Sequence, residues 1–311
     1  MDAPQPVPSH GPRTSPTAWI LAGTILLTLV AFFGFVPKFA AGNAQATLPW
    51  LASSWNNENK LYEHGWMVIP VMGWFLWRAA QQMRSEPITP SWAGLWWIAG
   101  GLFLWVGAFR GIQARAAVLS LPFLIMGTAH FVLGWKSARH LFFPLSFTLF
   151  MIPVPGLEQR TNDLAILSTR IAHHAGNLIG LPTIQSGTQL LDSDGGSFKV
   201  DDGCSGIRSI VALLLISYIY AMVAHRKWPE RLLIFAAALP LAIPANAARI
   251  VSILVIARID RTFAMNTWHN YSGFFSFAAA LALLLALSAV MRGGLRALKP
   301  KVATRRVGET E

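Results

Sequence analysis

The chain has 311 residues, of which 54% are hydrophobic and only 13% charged, against about 25% charged in soluble domains. That imbalance argues against a soluble globular enzyme and for an all-α polytopic membrane protein. The net charge of +11 then reports topology rather than nucleic-acid binding, and a lone cysteine excludes an intrachain disulfide and a cysteine-based zinc site.

Residues 1–16 are rich in Pro and Ser and read as a disordered cytoplasmic N-terminus. The first apolar run, about 17–36, is followed by Asn43-Ala44-Gln45-Ala46, which resembles a signal-peptidase site. The run exceeds the usual signal-peptide core of about 7–15 residues, so it reads as a retained transmembrane helix. Further runs fall at about 65–83, 91–109, 116–135, 140–154, 204–224, 232–257 and 273–291. About eight spans are expected, in a single domain over 17–291, with a basic cytoplasmic tail over 292–311. The 140–154 run is short for roughly 30 Å of hydrocarbon and ends at Met151-Ile152-Pro153-Val154-Pro155-Gly156.

Charge sets the orientation. With both termini inside, the inner segments hold Arg78, Arg84, Lys136, Arg139, Arg226, Lys227, Arg231 and the basic tail, and exceed the outer segments in cations. The longest outer segment is then 156–203. Its first half, Leu157 to Ile179, is amphipathic and reads as a helix lying in the interface. Its second half, Thr183 to Gly203, alternates around Gly187 and Gly195-Gly196 and reads as a short hairpin.

Asp201-Asp202-Gly203-Cys204-Ser205-Gly206-Ile207-Arg208 then places the thiol where a polar loop gives way to an apolar run. The positive end of a helix favours the thiolate, and Arg208 lies one turn on, on the same face. The rival reading is a small buried hydrophobe, the common fate of a free cysteine. Arg249 lies within a span, in Pro240-Leu241-Ala242-Ile243-Pro244-Ala245-Asn246-Ala247-Ala248-Arg249. Intramembrane ionisable groups are costly and mark functional sites. The two prolines are expected to kink or unwind the helix, so that free carbonyls, Asn246 and Arg249 line a polar cavity. Snorkelling of Arg249 to the interface is the alternative.

His269, in Asn266-Thr267-Trp268-His269-Asn270-Tyr271, starts the last span from the outer side. It suits a proton-transfer group or an interfacial belt residue. His64, in Tyr62-Glu63-His64-Gly65, also starts a span from outside and suits substrate binding or support. His173-His174 point to different helix faces, so no metal site is expected. Asp192, Asp194, Asp201 and Asp202 lack the spacing of a calcium loop. No phosphate-binding or dinucleotide motif appears, and no cofactor is expected. Cys204, Arg249 and His269 therefore converge on one outer face, with the nucleophile, cation and proton-transfer group that acyl transfer needs.

The chain resembles the exosortase/archaeosortase family over most of 60–275. The resemblance lies in Tyr62-Glu63-His64-Gly65, Phe150-Met151-Ile152-Pro153-Val154-Pro155, Cys204-Ser205-Gly206-Ile207-Arg208-Ser209, Asn246 to Ile250, and His269 with Ser272-Gly273. It implies an exosortase of the bacterial cytoplasmic (inner) membrane with Cys204, Arg249 and His269 as catalytic residues. Arg208, Asn246, Ser205 and His64 are then supporting or substrate-binding. The implied partners, besides membrane lipids, are exported proteins that end in a short motif such as Pro-Glu-Pro, a transmembrane helix and a basic cluster. The implied reaction is cleavage of that signal and transfer to a surface acceptor, often linked with exopolysaccharide. The roles of Arg249 and His269 are interchangeable at this level. The rivals are a transporter or lipid-linked sugar-handling protein, to which discontinuous helices and a buried arginine are also suited, and a non-catalytic assembly subunit.

Overall fold

The computed structural model describes residues 16–36, 45–56, 62–192, 197–199 and 207–293. The chain divides into two compact units, Met1–Pro155 and Gly156–Glu311.

The first unit contains α1 (Pro16–Phe35), α2 (Thr47–Trp55), α3 (His64–Arg84), α4 (Gly94–Arg110) and α5 (Ala114–Leu133). Its tightest pair is α4 with α5, and glycine makes the approach feasible. A Cβ on Gly127 would lie 2.7 Å from the Ile98 backbone nitrogen, and one on Gly101 would lie 2.8 Å from the Leu124 side chain. Small residues at such crossings let membrane helices gain packing and dispersion, because no hydrophobic force drives them together in lipid. The end of α5 is stitched to the α3–α4 connection by Thr89 N–H to Leu133 O (3.1 Å) and Ser91 N–H to Phe131 O (3.2 Å). Gly134, at φ +93°, makes the turn that follows.

The 140–154 run, expected as a short span, is not one helix. It falls within a succession of short pieces: α6 (Trp135–Ala138), a 3-10 turn (Arg139–Leu141), α7 (Phe142–Ser146) and α8 (Thr148–Met151). Pro144 lies inside α7 and contributes no N–H to a longer helix. Pro153 then drives Ile152 into extended backbone (φ −80°, ψ 125°) and ends α8. Near the 3-10 turn, His140 and Arg139 both bond to Glu86 Oε1, at 3.1 and 3.0 Å. These bonds, the imidazole's first, hold the Glu86 carboxyl below its ordinary value. The contribution is present above about pH 4.3, the usual glutamate value, and is lost as pH falls through the lowered folded-state value.

The second unit begins with α9 (Leu157–Leu178), the amphipathic helix expected from the sequence. A three-stranded antiparallel sheet follows, in the order β1 (Thr183–Ser186), β2 (Gln189–Asp192), β3 (Ser197–Lys199). Ser186 pairs with Gln189, and Gly187, at φ +62°, supplies the positive φ this two-residue turn needs. The expected hairpin is thus extended by one strand. Leu190, fully buried, sits in a core with Ala165 and Ala172 of α9.

Next come α10 (Ile207–Ala224), α11 (Trp228–Ile259), α12 (Arg261–Phe263), a π turn (Ala264–Trp268) and α13 (His269–Gly293). Leu213, Ile234, Ala238 and Leu284 form the centre of this bundle. Ile250 and Leu254 of α11 also join the core beneath the sheet. One end of the bundle is locked by a polar chain. Arg292 donates to the Tyr220 hydroxyl (2.7 Å), and Tyr220 and Ser288 Oγ lie 3.0 Å apart. Ser288 Oγ is 2.8 Å from His225 Nε2, and His225 Nδ1 is 3.1 Å from Glu230 Oε2. With the imidazole proton on Nδ1, every hydrogen bond runs in one direction from guanidinium to carboxylate. A connected chain of this kind, buried at His225 and Ser288, fixes helix ends in a single arrangement.

The prolines of α11 do not interrupt it as expected: the helix runs unbroken through Pro240 and Pro244. Buried neighbours Ile234, Ala237, Ala238 and Ala242 hold it by packing, which overrides the two missing donors. Among the described residues four helices are long and apolar enough to cross a membrane: Pro16–Phe35, Ala114–Leu133, Trp228–Ile259 and Arg261–Arg292. Of the about eight spans expected, four are thus met on length and composition among the described residues. The expected runs at 91–109 and 204–224 appear as the shorter apolar helices Gly94–Arg110 and Ser209–Ala224. The run at 65–83 forms α3, outside that set.

The α4–α5 packing predicts that Gly127→Val lowers thermal stability in detergent by about 2 kcal/mol or more through overpacking. Gly73→Ala, where a Cβ meets nothing within 4 Å, is predicted to be neutral or mildly stabilising. Equal melting shifts for the two variants would contradict the proposed crossing.

Candidate active site

The polar centre of the second unit is built on one face of α11. Asn246, Arg249 and Ser252 follow one another at three-residue spacing, which keeps them close together on a helix. Asn246 and Arg249 are 4% and 9% exposed. A guanidinium at that depth requires partners. Arg249 Nε donates to Ser272 Oγ at 3.0 Å, and Nη2 donates to the His269 carbonyl at 3.1 Å. Ser272 Oγ in turn donates to that carbonyl at 3.1 Å. Asn246 Nδ2 donates to Ser168 Oγ of α9 at 3.2 Å. A second tie joins the same helices: Trp268 Nε1 donates to Ser252 Oγ (2.9 Å), which donates to the Arg249 carbonyl (2.7 Å).

The chain that meets α11 here has an unusual local form. Asp260 caps α12 by accepting the Phe263 N–H at 2.9 Å. The π turn Ala264–Trp268 follows, and His269 is the first residue of α13. Isolated π turns occur often at functional sites, because the widened turn re-aims the side chains it carries. Gly273 lies against the guanidinium: a Cβ there would be 3.4 Å from Arg249 Cζ.

The structure thus brings Asn246, Arg249 and the His269 backbone into one cluster, and His269 itself is half-buried. Cys204 and Ser205 lie outside the described residues, as do Asp194, Asp201 and Asp202 and the side chain of Arg208. Chain topology nevertheless sets where α10 starts. It joins α11 through a short link at the Tyr220–Ser288 end and runs antiparallel to it, so Ile207 lies away from that end. His173 Nδ1 is engaged by Thr183 Oγ1 at 3.1 Å. Among the described residues no group of three or more His, Cys, Asp and Glu could hold a metal ion.

His64 belongs to a separate cluster in the first unit. Its Nε2 donates to the Phe150 carbonyl at 3.0 Å. Trp55 Nε1 donates to Met151 O (2.9 Å), Arg115 Nε to Pro153 O (2.9 Å) and the Tyr62 hydroxyl to Val154 O (3.1 Å). Four side chains therefore satisfy carbonyls at the end of α8 and in the extended stretch through Pro153 and Val154 that follows it. Gly65 is required beside them, because a Cβ there would fall inside the Trp55 indole. Sequence reasoning did not assign Ser168, Ser252, Trp268, Trp55 or Arg115. Ser168, on the buried face of amphipathic α9, and Ser252, half-buried on apolar α11, gave no local signal beyond a hydroxyl among apolar neighbours.

The two clusters coincide with the segments Tyr62–Gly65, Phe150–Pro155, Asn246–Ile250 and His269–Gly273. The model of the transmembrane exosortase family matches residues 55–286 and covers them all. The chain belongs to the transmembrane exosortase family. No curated protein and no solved structure matches it. Within the exosortase match, both clusters tie residues distant in sequence to backbone carbonyls or buried hydroxyls.

The His64 contact predicts that His64→Ala lowers the melting temperature, by about 1 kcal/mol of stability. His64→Gln, whose amide can donate to the same carbonyl, recovers part of it. A melting temperature unchanged in both variants would remove the bracing role.

Proposed function

We propose that the protein is a membrane-embedded cysteine transpeptidase of the sorting type, acting at the outer face of the bacterial cytoplasmic membrane. Its substrates are exported proteins that carry a C-terminal signal of short motif, transmembrane helix and basic cluster. The observation that carries this reading is the buried Arg249, fixed on the first turn of α13 beside His269, in a chain of the exosortase family. In sequence, Cys204 lies three residues before Ile207, the first residue of α10.

The Cys204 thiolate attacks the scissile carbonyl, and Arg249 stabilises the oxyanion that forms. Collapse of the tetrahedral intermediate expels the amine, which takes a proton from His269, and leaves a thioester on Cys204. The acceptor nucleophile gives a proton to His269 and attacks the thioester, which transfers the exported protein and restores the thiolate. Arg208, on the first turn of α10, favours the thiolate by its charge, Ser205 flanks the nucleophile, and Asn246 holds α9 against the site.

The reading predicts that Cys204→Ala and Cys204→Ser leave a signal-bearing protein full-length in cells that otherwise process it. Arg249→Lys is predicted to lower the rate by about 10²–10³, the cost of losing an oxyanion donor, because lysine lacks the planar fork. Processing by Cys204→Ala at the parental rate would eliminate the cysteine mechanism. If Arg249→Ala were then inactive, the result would favour an anion-binding transporter.

A further inference from the structure

Three hydrogen bonds close a ring between α11 and the first turn of α13. Arg249 Nε donates to Ser272 Oγ, Ser272 Oγ to the His269 carbonyl, and Arg249 Nη2 to the same carbonyl, at 3.0, 3.1 and 3.1 Å. Nε and Nη2 lie on one edge of the planar guanidinium, the edge that forms bidentate pairs. Ser272 is 2% exposed and takes part in the ring both as acceptor and as donor. The backbone of Gly273 packs near the guanidinium, with a hypothetical Cβ 3.6 Å from both Nη1 and Nη2. Trp268 and Ser252 tie the Arg249 backbone to the same stretch of chain. Both the main chain and the side chain of Arg249 are therefore referenced to residues 268–272, the last residue of the π turn and the first turn of α13.

We propose that Ser272 is a positioning residue: with the His269 carbonyl it holds Arg249 by the side edge of the guanidinium and so fixes where the arginine presents its charge. For its kinetic consequences the proposal rests on the transpeptidase reading. Stabilisation of a developing charge depends on donors already in place when the charge appears. Rotation about the Cδ–Nε bond would turn the guanidinium out of that position, and the Ser272 hydroxyl resists it together with the His269 carbonyl. Loss of that hydroxyl also leaves a buried Nε–H without its acceptor. Threonine keeps the hydroxyl and alanine does not, so the two substitutions separate chemistry from volume.

The test uses the full chain in lipid nanodiscs and has two arms. The first measures melting temperatures in a double-mutant cycle of Ser272→Ala with Arg249→Met. Ser272→Ala is expected to lower the melting temperature clearly beside Arg249 and by less than half as much in the Arg249→Met background. Equal shifts in both backgrounds overturn the anchoring. The second arm measures processing of a signal-bearing protein. Ser272→Ala is expected to lower kcat by roughly 10- to 100-fold, the scale of a small misplacement of a reacting group, with KM within about 2-fold. Ser272→Thr is expected to recover most of kcat. Parental kcat in Ser272→Ala, or an equal loss in Ser272→Thr, overturns the proposal. If Cys204→Ala also cuts the substrate, or the parent does not, the transpeptidase reading fails, and the melting cycle still decides the anchoring.

Discussion

A guanidinium buried in a membrane helix must be answered by oxygen, and the site follows from how Arg249 is answered. An isolated arginine at that depth is unfavourable by at least about 2.5–3.5 kcal/mol. Ser272 and the His269 carbonyl meet it at 3.0 and 3.1 Å, so the demand of one side chain sets the position of the turn that carries His269. The π turn and the Trp268–Ser252 bond belong to the same solution, since together they present the start of α13 to α11. Electrostatic need, local backbone form and the placement of His269 are therefore one constraint.

The rest of the second unit serves that constraint. The core of Leu213, Ile234, Ala238 and Leu284 holds α10, α11 and α13 side by side. The chain from Arg292 to Glu230 fixes their far end. Asn246 bonds α9 through Ser168, while Leu190 anchors the sheet in the core shared with Ile250 and Leu254. The first unit applies the same physics to a different problem. Trp55, Tyr62, His64 and Arg115 satisfy carbonyls that Pro153 and Pro155 leave without helical partners.

Features governed by local physics were legible in the sequence. The amphipathic period of 157–179 gave α9, and the positive-φ demand at Gly187 gave the hairpin. The rarity of charge in apolar runs singled out Arg249. Features decided by packing were not. Pro240 and Pro244 read as a kink or an unwinding, but α11 does not unwind there and continues through them on buried alanines. Pro144 fragments a run that hydropathy treats as continuous. The partners of the key residues are the hardest to read. Asn246 and Ser168 lie 78 positions apart, and His64 and Phe150 lie 86 apart, so no local pattern links them. Ser272 was visible only as part of a resemblance, because a serine three positions from an arginine's future carbonyl partner looks like any other hydroxyl. The family match adds a coarse activity, while the role of each residue comes from chemistry.

The most direct measurement is mass spectrometry of the Cys204 peptide after brief exposure of the nanodisc-held protein to a signal-bearing substrate, with the acceptor withheld. The account predicts the N-terminal part of the substrate attached to Cys204 through a hydroxylamine-sensitive thioester, accumulating when the acceptor is absent and disappearing when it is added. Cleavage of the substrate with Cys204 unmodified throughout, or with the adduct on another residue, would contradict it.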